Sequence, residues 1–163
     1  SDDPSSNVRM LKDTLLAPGT PGAHARLHVV PTVQMSTPEE SADAFANVVT
    51  NICGGSPPVF DLMFLGLGED GHTASLFPGT DAPRVSDRWT TIGRGKGLDR
   101  ITLTAPVLSA AKQVVFLVSG EGKREALRRL LDPQESPDRT PAKLVKPSAP
   151  ILVLADRAAS AEH

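Results

Sequence analysis

Apolar positions along the chain follow two rhythms. Continuous apolar runs at residues 59–65, 114–118 and 151–154 predict short strands, the first buried on both faces because its apolar residues continue without alternation. Other segments carry apolar residues at helical spacing. Residues 1–16 place Val8, Leu11, Leu15 and Leu16 on one stripe, with Ser5 or Ser6 available as a cap. Thr37-Pro-Glu-Glu40 is a capping box, after which Ala42, Phe45, Ala46, Val49 and Ile52 share a face until Gly54-Gly55 ends the helix. Residues 121–131 predict a third helix, with Ala126, Leu127, Leu130 and Leu131 inward and Arg128 and Arg129 outward.

Shorter elements fill the rest. Residues 27–30, 89–92 and 101–104 read as strands, Pro106 opens a short helix to Lys112, and Thr140 with Pro141 opens another. Residues 17–25, with two prolines and two glycines, form a connection, and Gly93, Gly95 and Gly97 mark a flexible one. Helices alternating with apolar strands predict an α/β fold: three layers, αβα, a mostly parallel sheet with helices on both faces.

Bulk properties narrow the function. The 163 residues suit one domain (1–163), and the net charge of −2 attracts neither nucleic acid nor an anionic membrane. With six aromatic residues and no Tyr, base stacking has little to work with. No apolar run approaches the ~20 residues of a membrane span, and no signal peptide opens the sequence. The single cysteine, Cys53, reads as a small buried hydrophobe, and a cytoplasmic setting fits. His24 and His28 are four apart but lack the Glu of HExxH; they read as exposed loop histidines, and no metal site is expected.

The chemistry concentrates after the strand at 59–65. Gly66-x-Gly68-x-x-Gly71 matches a dinucleotide fingerprint, yet Pro78-Gly79 stops any helix within two turns, and the fingerprint requires a long one. A plain glycine turn with a polar tip is the bland alternative. Against it, Asp70 sits two residues before His72 at a strand's carboxyl end, where α/β sheets hold ligands. His72 can take a proton from water near neutral pH, and Asp70 can fix its tautomer. Thr73-Ala-Ser75 can turn backbone N–H groups toward an anion as a short helix begins. No GxSxG elbow is present, so water is the expected nucleophile in any acyl chemistry.

Two further segments suggest anion binding. Ser119-Gly-Glu-Gly-Lys123 follows a buried strand and opens a helix, so its N–H groups and Lys123 can cradle a phosphate. Lys123 on a solvated first turn is the simpler reading, but a cation there opposes the helix dipole unless an anion offsets it. Residues 84–100 carry five basic side chains (Arg84, Arg88, Arg94, Lys96, Arg100) against Asp87 and Asp99. Such a run is ordinarily a solvated loop, though one beside an anion site can hold a phosphate.

The loop Gly66-Leu-Gly-Glu-Asp-Gly-His-Thr-Ala-Ser-Leu-Phe-Pro-Gly79 resembles the signature of the 6-phosphogluconolactonases, in the glucosamine-6-phosphate isomerase/6-phosphogluconolactonase superfamily. The resemblance extends to Ser6-Asn7 and the helix after it, to Arg100-Ile-Thr-Leu-Thr104, and to Phe116-Leu-Val-Ser-Gly120 with Lys123. Thr73-Ala-Ser-Leu-Phe-Pro78 favours the lactonase branch over the deaminases. The resemblance implies hydrolysis of 6-phospho-D-glucono-1,5-lactone in the pentose phosphate pathway, without a cofactor. His72 would be the base and Asp70 its partner, with Gly68, Gly71, Ser75, Arg100 and Lys123 holding the substrate.

Family members begin earlier, with a glycine/serine phosphate loop and an Asp-Glu-Arg segment for which Asp2-Asp3 is no substitute. The expectation is therefore the C-terminal two-thirds of a lactonase-type domain. Its implied partners are the phosphorylated lactone and an N-terminal segment or a fused glucose-6-phosphate dehydrogenase, with neither nucleic acid nor membrane. The alternatives are a non-catalytic sugar-phosphate-binding module and a deaminase-like activity, which would need further acids where this chain has Ser75, Leu76 and Phe77.

Overall fold

The computed structural model describes residues 6–95 and 97–160. Ser5, Asp2-Asp3 and Lys96, all invoked above, lie outside that set. The chain forms two compact units, residues 1–30 and 31–163. In the first, α1 (Asn7–Asp13) is shorter than the predicted helix and buries no residue; Ser6 occupies the N-cap without a side-chain hydrogen bond. Residues 27–30, expected as a strand, are irregular, and His24 and His28 are exposed. Four apolar-leaning residues before a proline do not make a strand without a ladder partner.

In the second unit, α2 (Pro38–Cys53) begins where its capping box predicts. Thr37 Oγ1 accepts from the Glu40 N–H at 3.1 Å, while the Glu40 carboxylate reaches back one residue further, to the Ser36 N–H at 2.9 Å. Ala42 and Val49 are buried, whereas Ile52, in the last turn, is exposed. Three parallel strands follow in the order β1 (Met63–Gly66), β4 (Val114–Val118), β5 (Leu152–Ala155). Between β1 and β4 the chain forms an antiparallel hairpin, β2 (Thr90–Gly95) with β3 (Leu98–Leu103), and a short helix α3 (Ala105–Ala110). Between β4 and β5 lie a 3₁₀ turn (Glu121–Lys123), α4 (Arg124–Leu131) and a second 3₁₀ turn (Pro141–Leu144); α5 (Arg157–Ser160) follows β5.

The α/β class and the parallel sheet agree with the sequence pattern, but the burial of β1 does not. One sheet face, formed by Met63, Leu65, Val114, Phe116 and Val118, packs on Leu108, Ala126, Leu127, Ala142 and Ala159. Phe116, fully buried, alone contributes roughly 1.5–3 kcal/mol of hydrophobic stabilisation. The opposite face carries Phe64, Leu117, Leu152 and Leu154, all at least half exposed or nearly so (49–60%). β1 is therefore an alternating edge strand of four residues, not a strand buried on both sides. A continuous apolar run could not reveal which face the described residues leave open.

The hairpin also departs from expectation. Gly93 and Gly95 do not loosen a connection; they are ladder residues. A Cβ at Gly93 would lie 2.2 Å from the Ser75 carbonyl oxygen, and one at Gly95 would lie 2.5 Å from the Phe77 ring. These glycines let the hairpin lie flat beneath residues 75–77. Thr90 Oγ1 donates to the Ala42 carbonyl at 2.7 Å and ties the hairpin to α2.

Two predictions follow from this packing. Gly93→Ala should destabilise by about 1–3 kcal/mol in denaturant unfolding, since the contact it meets is backbone. Gly66→Ala, which meets nothing within 4 Å, should stay within about 0.5 kcal/mol; equal midpoints for the two would refute the close-approach argument. Cys53 is half-buried, and its thiol is pushed up first by burial and then by the Asp61 charge. Its alkylation by iodoacetamide at neutral pH should be slower than that of free cysteine, because less thiolate is present.

Candidate active site

β1 and β4 are parallel neighbours, so their carboxyl ends open onto one crevice. After β1 the chain turns through residues 67–72, closed by Gly68 N–H to the His72 carbonyl at 2.8 Å and Gly71 N–H to the Gly68 carbonyl at 2.9 Å. Within this turn Asp70 Oδ1 accepts twice, from the His72 backbone N–H at 3.1 Å and from the ring at Nδ1, 2.5 Å away. A carboxylate on Nδ1 holds the proton there and leaves Nε2 as the basic nitrogen. The His72 side chain is 15% exposed and Asp70 40%, so the ring is sheltered while its partner stays solvated.

The glycines set this geometry. A Cβ on Gly68 would fall 2.0 Å from His72 Nδ1 and 2.6 Å from Asp70 Oδ1, so any side chain there would displace the pair. Gly71 has φ 89°, a left-handed conformation, and its carbonyl accepts from Ala142 N–H at 3.1 Å. Ala74 also has positive φ, 50°, at a cost of about 1–2 kcal/mol for a residue with a Cβ. Thr73, fully buried, anchors the loop's return through Oγ1 to the Gly66 carbonyl at 2.9 Å.

His72 and Lys123 line one cleft of about 370 Å³, together with Gly66, Leu67, Gly68 and Ala74. Lys123 ends the 3₁₀ turn that opens α4, and its ammonium has no hydrogen-bond or ion-pair partner among the described residues. Phe77 packs against the imidazole, 4.5 Å from His72 centroid to centroid. The Arg100 guanidinium sits over the same Phe77 ring at 5.8 Å. The arrangement offers a proton acceptor with a fixed tautomer and a cation lining the same cleft.

The family model for glucosamine-6-phosphate isomerases/6-phosphogluconolactonase matches residues 1–154. The chain belongs to this family. It is 39% identical to a 6-phosphogluconolactonase of Synechocystis over 97% of its own length and 66% of the relative's. A second 6-phosphogluconolactonase, from Nostoc, is 37% identical over 99% of this chain and 68% of the relative. Among solved structures, the crystal structure of a devB protein superposes with a TM-score of 0.82 at 31% identity, covering 98% of this chain and 68% of that one. The chain thus spans about two-thirds of the length of the relatives it matches.

Within this family member, the structure sorts the residues singled out from sequence. Asp70, His72, Gly68 and Lys123 converge on the cleft, Gly68 and His72 with Lys123 as lining and Asp70 through its bond to the ring. Gly71 shapes the turn from beneath, packed against Thr140. Ser75 and Arg100 do not line that cleft. Ser75 is buried; its N–H donates to Thr102 Oγ1 at 3.1 Å, and it borders a separate apolar hollow of about 450 Å³. No helix begins at residues 73–75, which form a tight turn closed by Leu76 N–H to the Thr73 carbonyl, because β3 claims the Ser75 amide. Of the basic run, Arg84, Arg88 and Arg94 each contact a carboxylate at the surface.

Sequence reasoning missed two polar residues. Asp156 accepts from Gly120 N–H at 3.0 and 3.1 Å and from Ala159 N–H at 2.7 Å, joining the start of α5 to the turn that presents Lys123. The Gly120 amide, expected to face a phosphate, is therefore already bound to a carboxylate. An Asp ahead of a helical stretch is a cap signal, but α5 is only four residues long and leaves little pattern to read. Arg129, expected outward, is buried and donates from Nη2 to the Glu69 carbonyl at 3.0 Å; Leu131 takes the exposed position instead.

Asp156→Ala should lower stability by about 0.5–2 kcal/mol, the usual range for a lost cap. Amide exchange should accelerate at Gly120 and Ala159. Unchanged exchange at Gly120 would show that the turn does not depend on Asp156.

Proposed function

We propose that this chain hydrolyses 6-phospho-D-glucono-1,5-lactone to 6-phospho-D-gluconate, with His72 as general base. The observation that carries the reading is the Asp70–His72 pair, its ring in the same cleft as an unpaired lysine. Family membership and the names of the 6-phosphogluconolactonase relatives support the substrate class.

The steps follow from the groups present. Water bound beside Nε2 attacks the lactone carbonyl carbon as its proton passes to His72. Asp70 keeps Nδ1 protonated and stabilises the imidazolium that forms. The tetrahedral carbon then expels the ring oxygen, which takes the proton back from His72, and the acid ionises to the gluconate. The substrate carries a phosphate throughout, which Lys123 in the cleft would attract; Arg100, over the Phe77 ring, would meet another part of the substrate. Neither redox change nor group transfer is involved, so the reaction requires no cofactor. Aldose–ketose isomerisation with deamination fits less well, because the loop continues with Ser75, Leu76 and Phe77 rather than acids.

His72→Ala should lower kcat for lactone opening by about 10²–10⁴-fold, the usual contribution of a positioned base, with an unchanged melting profile. Asp70→Asn should also lower kcat, and Lys123→Met should mainly raise KM. Lactone opening as fast in His72→Ala as in the parent chain would remove His72 from the mechanism. Binding of 6-phosphogluconate without turnover by the parent chain would favour a sugar-phosphate-binding module instead.

A further inference from the structure

We infer that Arg129 is a positioning residue for the base: from within α4 it fixes the backbone of the Asp70–His72 turn and couples it to the helix that presents Lys123. Its guanidinium is buried, with the side chain only 8% exposed. Nη2 donates 3.0 Å to the carbonyl of Glu69, the residue directly before Asp70. That carbonyl and the Asp70 N–H belong to one peptide plane, so holding the oxygen fixes the plane from which the Asp70 carboxylate departs.

The energetics argue against a role in packing alone. Arg129 Nε is buried without a hydrogen bond; the nearest carboxylate, Glu125, stands 3.9 Å away and is 57% exposed. Glu125 is meanwhile held below the usual carboxylate range, first by its hydrogen bond to Arg128 and then by the Arg128, Arg129 and Arg139 charges. A buried cation with an unsatisfied nitrogen is a costly way to fill space. Replacing such an ion with an apolar side chain of similar volume is often neutral or stabilising. Ala126, one turn earlier on the same side of the helix, is fully buried in the apolar core, so apolar side chains suit this face. What the guanidinium supplies, and Leu or Met would not, is a donor for Glu69.

Lys123 is the N-cap of the same helix, and Gly122, in the turn before it, approaches Glu69 so closely that a Cβ there would lie 2.7 Å from the carboxylate oxygen. The base and the cation of the cleft are thus referenced to one element, although they follow different strands. Gly71 is held separately by Ala142, so Arg129 governs the Asp70 side of the turn.

The kinetic arm of the test rests on the lactonase reading; the spectroscopic arm does not. Arg129→Met should fold with equal or higher thermal stability, yet lose at least tenfold in kcat with KM within threefold, because Lys123 is untouched. Arg129→Lys, which retains a donor, should fall between Met and the parent. Arg128→Met, which removes an exposed arginine from the adjacent position, should leave both constants unchanged. In proton NMR, the downfield resonance of the His72 Nδ1 proton should shift or broaden in Arg129→Met and not in Arg128→Met. A folded Arg129→Met with kcat within twofold and an unmoved resonance overturns the inference, as does an equal loss in Arg128→Met. If the Met variant does not fold, the Lys variant decides: cooperative melting with a moved resonance supports the inference, and an unmoved resonance with unchanged kcat overturns it. If the parent opens no lactone, the resonance still decides the role of Arg129, so the two readings fail separately.

Discussion

An imidazole can be held against a carboxylate two residues earlier only if the intervening backbone turns sharply and nothing projects between them. Here that condition is met at Gly68, where any Cβ would overlap the ring and the carboxylate together. The turn is then secured largely through its backbone: Gly68 to His72, Gly71 to Gly68, Glu69 to Arg129, Gly71 to Ala142. The Asp70 carboxylate adds one more bond within the turn, to the His72 backbone N–H, besides its bond to the ring. The imidazole and carboxylate thus meet inside a turn that other segments of the chain hold in place.

The position of the turn is a consequence of sheet topology. Parallel neighbours β1 and β4 deliver the glycine turn and the Ser119–Lys123 turn to the same end of the sheet, which is how His72 and Lys123 come to face one cleft. The third strand contributes through Asp156, which closes the β4 turn from β5. The antiparallel hairpin supports the second half of the loop, Gly93 against Ser75 and Gly95 against Phe77. Each element near the site thus does one mechanical task, and the packed face of the sheet carries the core that makes those tasks rigid.

What could be read from the sequence was whatever depends on local pattern. The capping box at Thr37, the apolar run of β4 and the glycine-acid-histidine order of the loop all encode their own outcome over a few residues. What failed depended on distant partners. Residues 27–30 have strand-like composition but no ladder, and Phe64 looks like core yet sits on an open face. Gly93 and Gly95 look like flexibility, but the reason for each is a side chain or carbonyl from another segment. Arg129 was assigned outward because arginines on short helices usually are; its partner is a carbonyl 60 residues earlier, which no periodicity on α4 can announce. Ser75 fits the family motif, but its amide is taken by Thr102, a hydrogen bond only the fold reveals.

An anionic substrate creates a conflict at such a site. It needs cations for binding, while the base must keep a nitrogen free to accept a proton. The structure separates the two demands spatially. Lys123 lines the same cleft as the ring without bonding to it, and Arg100 sits over the Phe77 ring, which itself lies 4.5 Å from the imidazole. An aromatic face attracts the cation through its quadrupole without offering the base a competing hydrogen bond. Phe77 is nearly fully buried, and Gly95 admits its ring by lacking a side chain. A glycine in the hairpin therefore contributes to the same outcome as Gly68 in the loop: Gly68 makes room for the partner of the base, and Gly95 for the ring that both the base and Arg100 contact.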